Sequence, residues 1–237
     1  MAQPPTNGPV SGSAPDPEDG STTPASAVSS PGGGAEPAGR PPRRDPVGTV
    51  RAMLSDLRAV DGALYAAVAA TPTPTLDRSL RRLSHTADHS KISFSVAAAL
   101  ALVPGRPRMA AVVGVGAIAV ASATANLLGK RLVRRRRPDR EAARVTVDRH
   151  VPMPTSASFP SGHTASAVAF ATAVGVVLPP AAVPLGLLAS AVGYSRVHTG
   201  VHYPGDVAAG AVLGLASGVA ALTVANASPQ WRWYRRG

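Results

Sequence analysis

Four apolar runs dominate the chain from residue 92 onward, and short polar clusters stand at their ends. Ile92–Val103 is apolar and closes on Pro104-Gly105-Arg106-Pro107-Arg108. Met109–Gly129 holds 21 residues without a charge. Thr164–Ser195 holds 32, interrupted by Pro179-Pro180 and Pro184, and Val207–Ser228 holds 22. A helix needs about 20 apolar residues to cross a bilayer. The second and fourth runs reach that length. The third reads as a helical hairpin of two short spans, and the first is marginal unless its flanks extend it. Frequent Gly, Ala and Ser let helices approach closely, as membrane bundles prefer. The pattern predicts an all-α integral membrane bundle of about five spans within residues 91–228.

The stretch 47–90 has a different rhythm. Val50, Met53, Leu54, Leu57 and Val60 recur at helical spacing, with Arg51, Asp56 and Arg58 between them. Thr71-Pro72-Thr73-Pro74-Thr75 breaks that run, and Leu76, Leu80 and Leu83 then repeat among Arg78, Arg81 and Arg82. Two amphipathic helices follow from this spacing, lying in the membrane interface or packed on the bundle as surface helices. Residues 1–46 are rich in Pro, Gly, Ala, Ser and Thr and contain no Leu, Ile, Phe, Tyr or Trp. Such a segment has too little apolar surface to fold, and a disordered tail is expected. It also lacks the basic and then apolar pattern of a secretory signal. Residues 229–237, with Trp231, Trp233, Tyr234, Arg235 and Arg236, resemble an interfacial anchor.

Composition narrows the chemistry. There is no cysteine, which removes disulfides, thiolate metal sites and a cysteine nucleophile. The net charge of +11 favours phosphate-bearing partners. With aromatic residues at only 4%, the basic residues are not interleaved with stacking platforms, so nucleic acid is not expected and a membrane is.

Three polar clusters carry the candidate chemistry. Lys130 to Pro138 is strongly basic and directly follows the 21-residue run. Some of its residues, Arg131 and Arg134 to Arg136 among them, suit a patch that binds anionic lipid heads. Pro160-Ser161-Gly162-His163-Thr164 precedes the hairpin. Ser161 or Thr164 can cap a helix there, and the N–H groups of Ser161, Gly162 and His163 form an anion site at its N-terminus. Ser195-Arg196 and His202-Tyr203-Pro204-Gly205-Asp206 close the third run and open the fourth. Arg196 can hold an anion bidentately. His202 is a candidate nucleophile or base, and Asp206 can accept its other ring N–H and fix the tautomer. His150 and His198 lie near these clusters at the wrong spacing, and His198 reads as structural.

Taken together, Lys130-x6-Arg137-Pro138, Pro160-Ser161-Gly162-His163 and Ser195-Arg196-x5-His202-x3-Asp206 resemble the three-part signature of the type 2 phosphatidic acid phosphatase family. Its superfamily also includes the vanadium haloperoxidases. The resemblance covers roughly residues 90–228 and only loosely 47–90. It implies that Lys130, Arg137 and Arg196 hold phosphate oxygens, with Ser161 and the Gly162 N–H completing the cradle. It further implies that His202 attacks phosphorus, that Asp206 orients it, and that His163 protonates the leaving group and then activates water. No metal or cofactor is implied. The expected activity is hydrolysis of a lipid phosphate in the cell membrane by a multi-pass protein. The alternatives are a haloperoxidase holding vanadate in the same cradle, and a non-catalytic protein that captures lipid headgroups.

Overall fold

The computed structural model describes residues 46–228, apart from the side chains of Leu128 and Lys130. The expectations for the tail 1–46 (all but Pro46) and for 229–237 therefore lie outside the described residues. Those described form helices and loops, with no strand among them. Seven helices carry the architecture: α1 (Pro46–Ala70), α2 (Pro74–Thr86), α3 (Lys91–Ala101), α4 (Arg106–Thr124), α5 (Gly162–Val177), α6 (Ala182–His198) and α7 (Pro204–Ala227). A π-turn over Ala125–Gly129 continues α4 into one last helical turn, Lys130–Leu132. Prolines mark several starts: Pro74, Pro107 and Pro204 occupy first-turn positions, where a missing N–H costs nothing.

α5 is the central helix, with α4, α6 and α7 around it and α3 against α4. Its core face is made of small residues: Ala165, Ala169 and Ala173 are fully buried against Ala110, Ala117 and Ala121 of α4. Phe170 and Val174 fill the space that Gly114 leaves, where a Cβ would stand 2.7 Å from the Phe170 ring. The contact of α5 with α7 is closer still. Gly210, Gly214 and Gly218 form one stripe on α7, and a Cβ at Gly214 would lie 2.5 Å from the Ala165 carbonyl oxygen. Backbone-to-backbone approach of this kind is what a small residue every fourth position permits.

Among the described residues, two helical segments are long and apolar enough to cross a bilayer, Arg106–Leu127 and Pro204–Ala227. The marginal first run forms an 11-residue helix, and the hairpin run forms helices of 16 and 17 residues, split at Pro179–Ala181. In the N-terminal stretch, α1 divides its roles. Its first half exposes Val50, Leu54 and Leu57, while Asp61, Tyr65 and Ala69 are buried against the loops flanking α6 and α7. α2 packs on α6 through Asp77 and Ser84.

The glycine stripe gives a direct stability test. Gly214→Ala is expected to push α7 off α5, cost about 1–3 kcal/mol and lower the unfolding temperature in detergent. Gly116→Ala is the control, since a Cβ there meets open space and alanine favours the helix. Equal behaviour of the two variants would contradict the close α5–α7 packing.

Candidate active site

The site collects where three helix ends meet. The turn Thr199–Tyr203 joins α6 to α7, the N-terminus of α5 lies beside it, and the loop 133–161 passes over both. Asp206 sits in the first turn of α7, wholly buried. Its Oδ2 accepts the Tyr203 amide at 2.9 Å and the Ser158 hydroxyl, and its Oδ1 accepts Arg135 Nη1 at 3.0 Å. Arg135 also reaches Asp61 at 2.6 Å and stacks 4.0 Å above the Tyr203 ring. Asp61 in turn accepts the Gly205 amide at 2.6 Å.

His202 is 2% exposed. Its Nδ1 faces Ser158 Oγ at 3.4 Å and Asp206 Oδ2 at 3.6 Å. Its Nε2 faces Arg137 Nη1 at 3.4 Å. A guanidinium only donates, so the partners assign the lone pair to Nε2 and the hydrogen to Nδ1. That tautomer presents an unprotonated nitrogen to the cleft. Arg137 is fixed by the Ser156 carbonyl at 2.9 Å and the Val201 carbonyl at 2.8 Å.

On the other wall, His163 Nε2 lies 2.9 Å from Asp88 Oδ1. Arg196, 1% exposed in the last turn of α6, donates to the Ser84 carbonyl at 2.9 Å, the Ser84 hydroxyl at 2.8 Å and Asp88 at 3.4 Å. Its Nε is buried without a partner. Asp88 is followed by two residues in the left-handed region, His89 at φ 56° and Ser90 at φ 57°. Non-glycine residues hold that conformation only where their surroundings enforce it.

A cleft of about 810 Å³ joins these walls. Arg137, Gly162, His163, His202 and Asp88 line it together with the apolar Phe94, Val115, Ile118 and Ala119. Ser161, Arg196 and Asp206 stand behind that surface. Ser161 is buried, its amide donates to the Asp206 carbonyl at 2.9 Å, and its hydroxyl accepts from Thr164 at 2.9 Å. Of the three amides expected to face an anion, the Ser161 amide is thus committed to tying α5 to α7. The side chain of Lys130 lies outside the described residues. His198 is bound to Thr73 at 2.9 Å and Asp77 at 3.1 Å, away from the cleft, and His150 to the Val145 carbonyl at 3.1 Å.

The model of the PAP2 superfamily matches residues 110–230, which include all three polar clusters. The chain belongs to that superfamily. A PAP2 relative named decaprenylphosphoryl-5-phosphoribose phosphatase, from Mycobacterium tuberculosis, is 40% identical over 181 residues, covering 74% of this chain and 89% of its own. A protein of the same name from Mycolicibacterium smegmatis is 39% identical over 159 residues, covering 65% of this chain and 82% of its own. Among solved structures, the PAP2 type phosphatidylglycerolphosphate phosphatase of Bacillus subtilis superposes with a TM-score of 0.58 at 22% identity, over 72% of this chain and 87% of that one. Aquifex aeolicus LpxE gives 0.54 at 26% identity, over 68% and 93%. This PAP2 chain is accordingly a phosphoric ester hydrolase.

Four residues of the PAP2 site were not singled out by the sequence reading. Arg135 was placed in a lipid-binding patch, but the structure turns it inward to Asp206 and Asp61. Ser158 carried no signal. Asp61 is the one charge between Ala59 and Leu76, and Asp88 stands between His85 and His89.

Burial pushes the His202 pKa from 6.5 down to about 4, with Arg137 and Arg196 adding to the effect and Asp206 opposing it. The unfolded chain therefore takes up a proton between about pH 6.5 and 4 that the folded protein refuses, and stability falls as pH drops through that window. The loss comes to about 2 kcal/mol at pH 5. His202→Gln removes the titrating group, so its stability relative to wild type should improve by about that amount between pH 7.5 and pH 5. A stability gap that stays constant over that range would contradict a neutral buried His202.

Proposed function

We propose that the protein removes a terminal phosphate from a polyprenyl-linked phosphosugar at the surface of the cell membrane, through a phosphohistidine on His202. The observation that carries this is the mixed lining of the cleft. Arg137, His163 and His202 line it beside the apolar Phe94 of α3 and Val115, Ile118 and Ala119 of α4. An amphiphile with a phosphate head and a hydrocarbon tail matches both kinds of surface. Among the candidate heads, the names of the mycobacterial relatives favour a phosphosugar over phosphatidate or a plain polyprenyl phosphate.

The roles follow from position. His202 Nε2 attacks phosphorus while Asp206, through Ser158, holds the opposite ring nitrogen. Phosphoryl transfer depends on positioning and on neutralising the equatorial oxygens. Arg137 and Gly162, which line the cleft, take that role in this reading, with Lys130 and Arg196 supplying further positive charge. A phosphate oxygen would satisfy the unpartnered Arg196 Nε. Ser161 supports the cradle by fixing the first turn of α5 against α7. His163 gives a proton to the leaving oxygen and later takes one from water.

The same reading makes the protein multi-pass. At 1.5 Å per residue, α5 and α6 are about 24 and 26 Å long, short of a full hydrocarbon core of about 30 Å. Their outer surfaces, however, carry Val176, Val183 and Leu187, and α7 exposes Val212, Val219 and Val224. An apolar outer wall around the bundle fits lipid on the outside. α3 to α7 are then the five membrane helices, with α1 and the basic face of α2 at the interface.

The test is phosphate release from purified protein in detergent over a panel of lipid phosphates. A polyprenyl phosphosugar bearing a phosphomonoester is expected to be the best substrate, with activity retained in EDTA, inhibited by vanadate and absent in His202→Ala. Bromide oxidation by the vanadate-loaded protein without phosphatase activity, or tight lipid phosphate binding without release, would overturn the proposal.

A further inference from the structure

Each of the two cleft histidines faces a carboxylate, and each carboxylate is held by a buried or half-buried arginine. On the His202 side the chain runs Asp61–Arg135–Asp206 and then through Ser158 to the ring. On the His163 side it runs Ser84–Arg196–Asp88–His163, with contacts of 2.8, 3.4 and 2.9 Å. The first carboxylate belongs to the signature clusters. The second comes from the turn between α2 and α3, outside them. We propose that Asp88 is the positioning residue of the general acid, fixing the His163 tautomer for both halves of the reaction as Asp206 does for the nucleophile.

The argument starts from what each atom can do. An ionised carboxylate only accepts, so Asp88 takes the Nε2–H of His163. Nδ1 is left as the nitrogen that handles the substrate's proton. In the first half-reaction the imidazolium gives its Nδ1 proton to the leaving oxygen as the P–O bond breaks and the His202 N–P bond forms. The ring is then neutral, with its hydrogen on Nε2 against Asp88 and a lone pair on Nδ1. In the second half-reaction that lone pair takes a proton from water as the water oxygen bonds to phosphorus and the N–P bond breaks. Phosphate leaves and the imidazolium is restored. Without Asp88, the hydrogen of the neutral ring is free to move to Nδ1, and the site holds the wrong tautomer for water activation.

Placement supports the assignment. Asp88 lines the cleft and lies between its surface and Arg196. Arg196 cannot drift, because Ser84 accepts from it twice. The consecutive left-handed residues His89 and Ser90 fix the turn that aims Asp88, and both line the cleft. The charged and titratable groups facing His163 are Asp88 from this turn, Arg196 from α6 and His202 from the turn before α7.

The inference rests on the reading of His163 as acid and base, and the test separates the two. Asp88→Asn, Asp88→Ala and His163→Ala are assayed with a lipid phosphate monoester, whose alkoxide needs a proton, and with p-nitrophenyl phosphate, whose phenolate barely does. Thermal unfolding is recorded for each variant, and either Asp88 variant that unfolds cooperatively suffices. The expected result is a loss of about 100-fold in kcat on the lipid, with KM within about threefold of wild type. The pre-steady-state burst of nitrophenol should stay within about threefold, and the alkaline limb of the lipid pH profile should move to lower pH. Asp88→Glu, which keeps the charge, should restore that limb. A loss in the nitrophenol burst equal to the loss in lipid turnover, an unmoved limb or no loss in a folded Asp88 variant overturns the role of Asp88. If His163→Ala itself shows no dependence on the leaving group, the acid assignment fails first, and the proposal with it.

Discussion

A carboxylate without contact to water is tolerated only where donors meet its oxygens, and Asp206 meets that condition by drawing in four residues. The Tyr203 amide belongs to its own helix start, Ser158 and Arg135 come from the long loop after α4, and His202 comes from the preceding turn. Arg135 then needs its second partner, Asp61, which brings in α1. The backbone carbonyl of Asp206 accepts the Ser161 amide and so fixes the start of α5. Removing this carboxylate would leave Arg135 half-paired, His202 unoriented and the α5–α7 junction untethered from its side-chain network. The orientation of His202 and the docking of the N-terminal helix are consequences of one buried charge.

A second polar knot holds the opposite side. Arg149 is 1% exposed and donates to Asp77, to the Val68 and Thr71 carbonyls and to Thr73. Asp77 also faces His198 at the end of α6. The break between α1 and α2 is thereby fastened to the helix that carries Arg196. Arginine–aspartate pairs between distant segments clamp the cleft residues from both sides.

Much of this was legible in the sequence because it depends on local pattern. The apolar runs mark the helices of the bundle, Pro179–Pro180 marks the split between α5 and α6, and the three clusters fall at helix ends beside the cleft. What was not legible depends on partners far away in the chain. Arg135 looks like any other member of a charge run until Asp206, 71 residues on, and Asp61 are brought to it. Asp88 and Arg196 are 108 residues apart. The amphipathic spacing of α1 identified a helix, but its most consequential residue, Asp61, interrupts the apolar pattern rather than belonging to it. Ser161 was expected to face the anion because its position at a helix start allows that, yet close α5–α7 packing uses its amide instead.

The central claim is that His202 is the group that becomes covalently phosphorylated. Rapid quenching of wild-type protein during turnover of a labelled substrate, followed by mapping of the bound phosphate, tests it most directly. The account predicts an acid-labile, base-stable phosphate on the peptide that contains His202, formed in a burst and lost on further turnover. Label on His163 or His198, or turnover at full rate with no bound phosphate at any time, would contradict it.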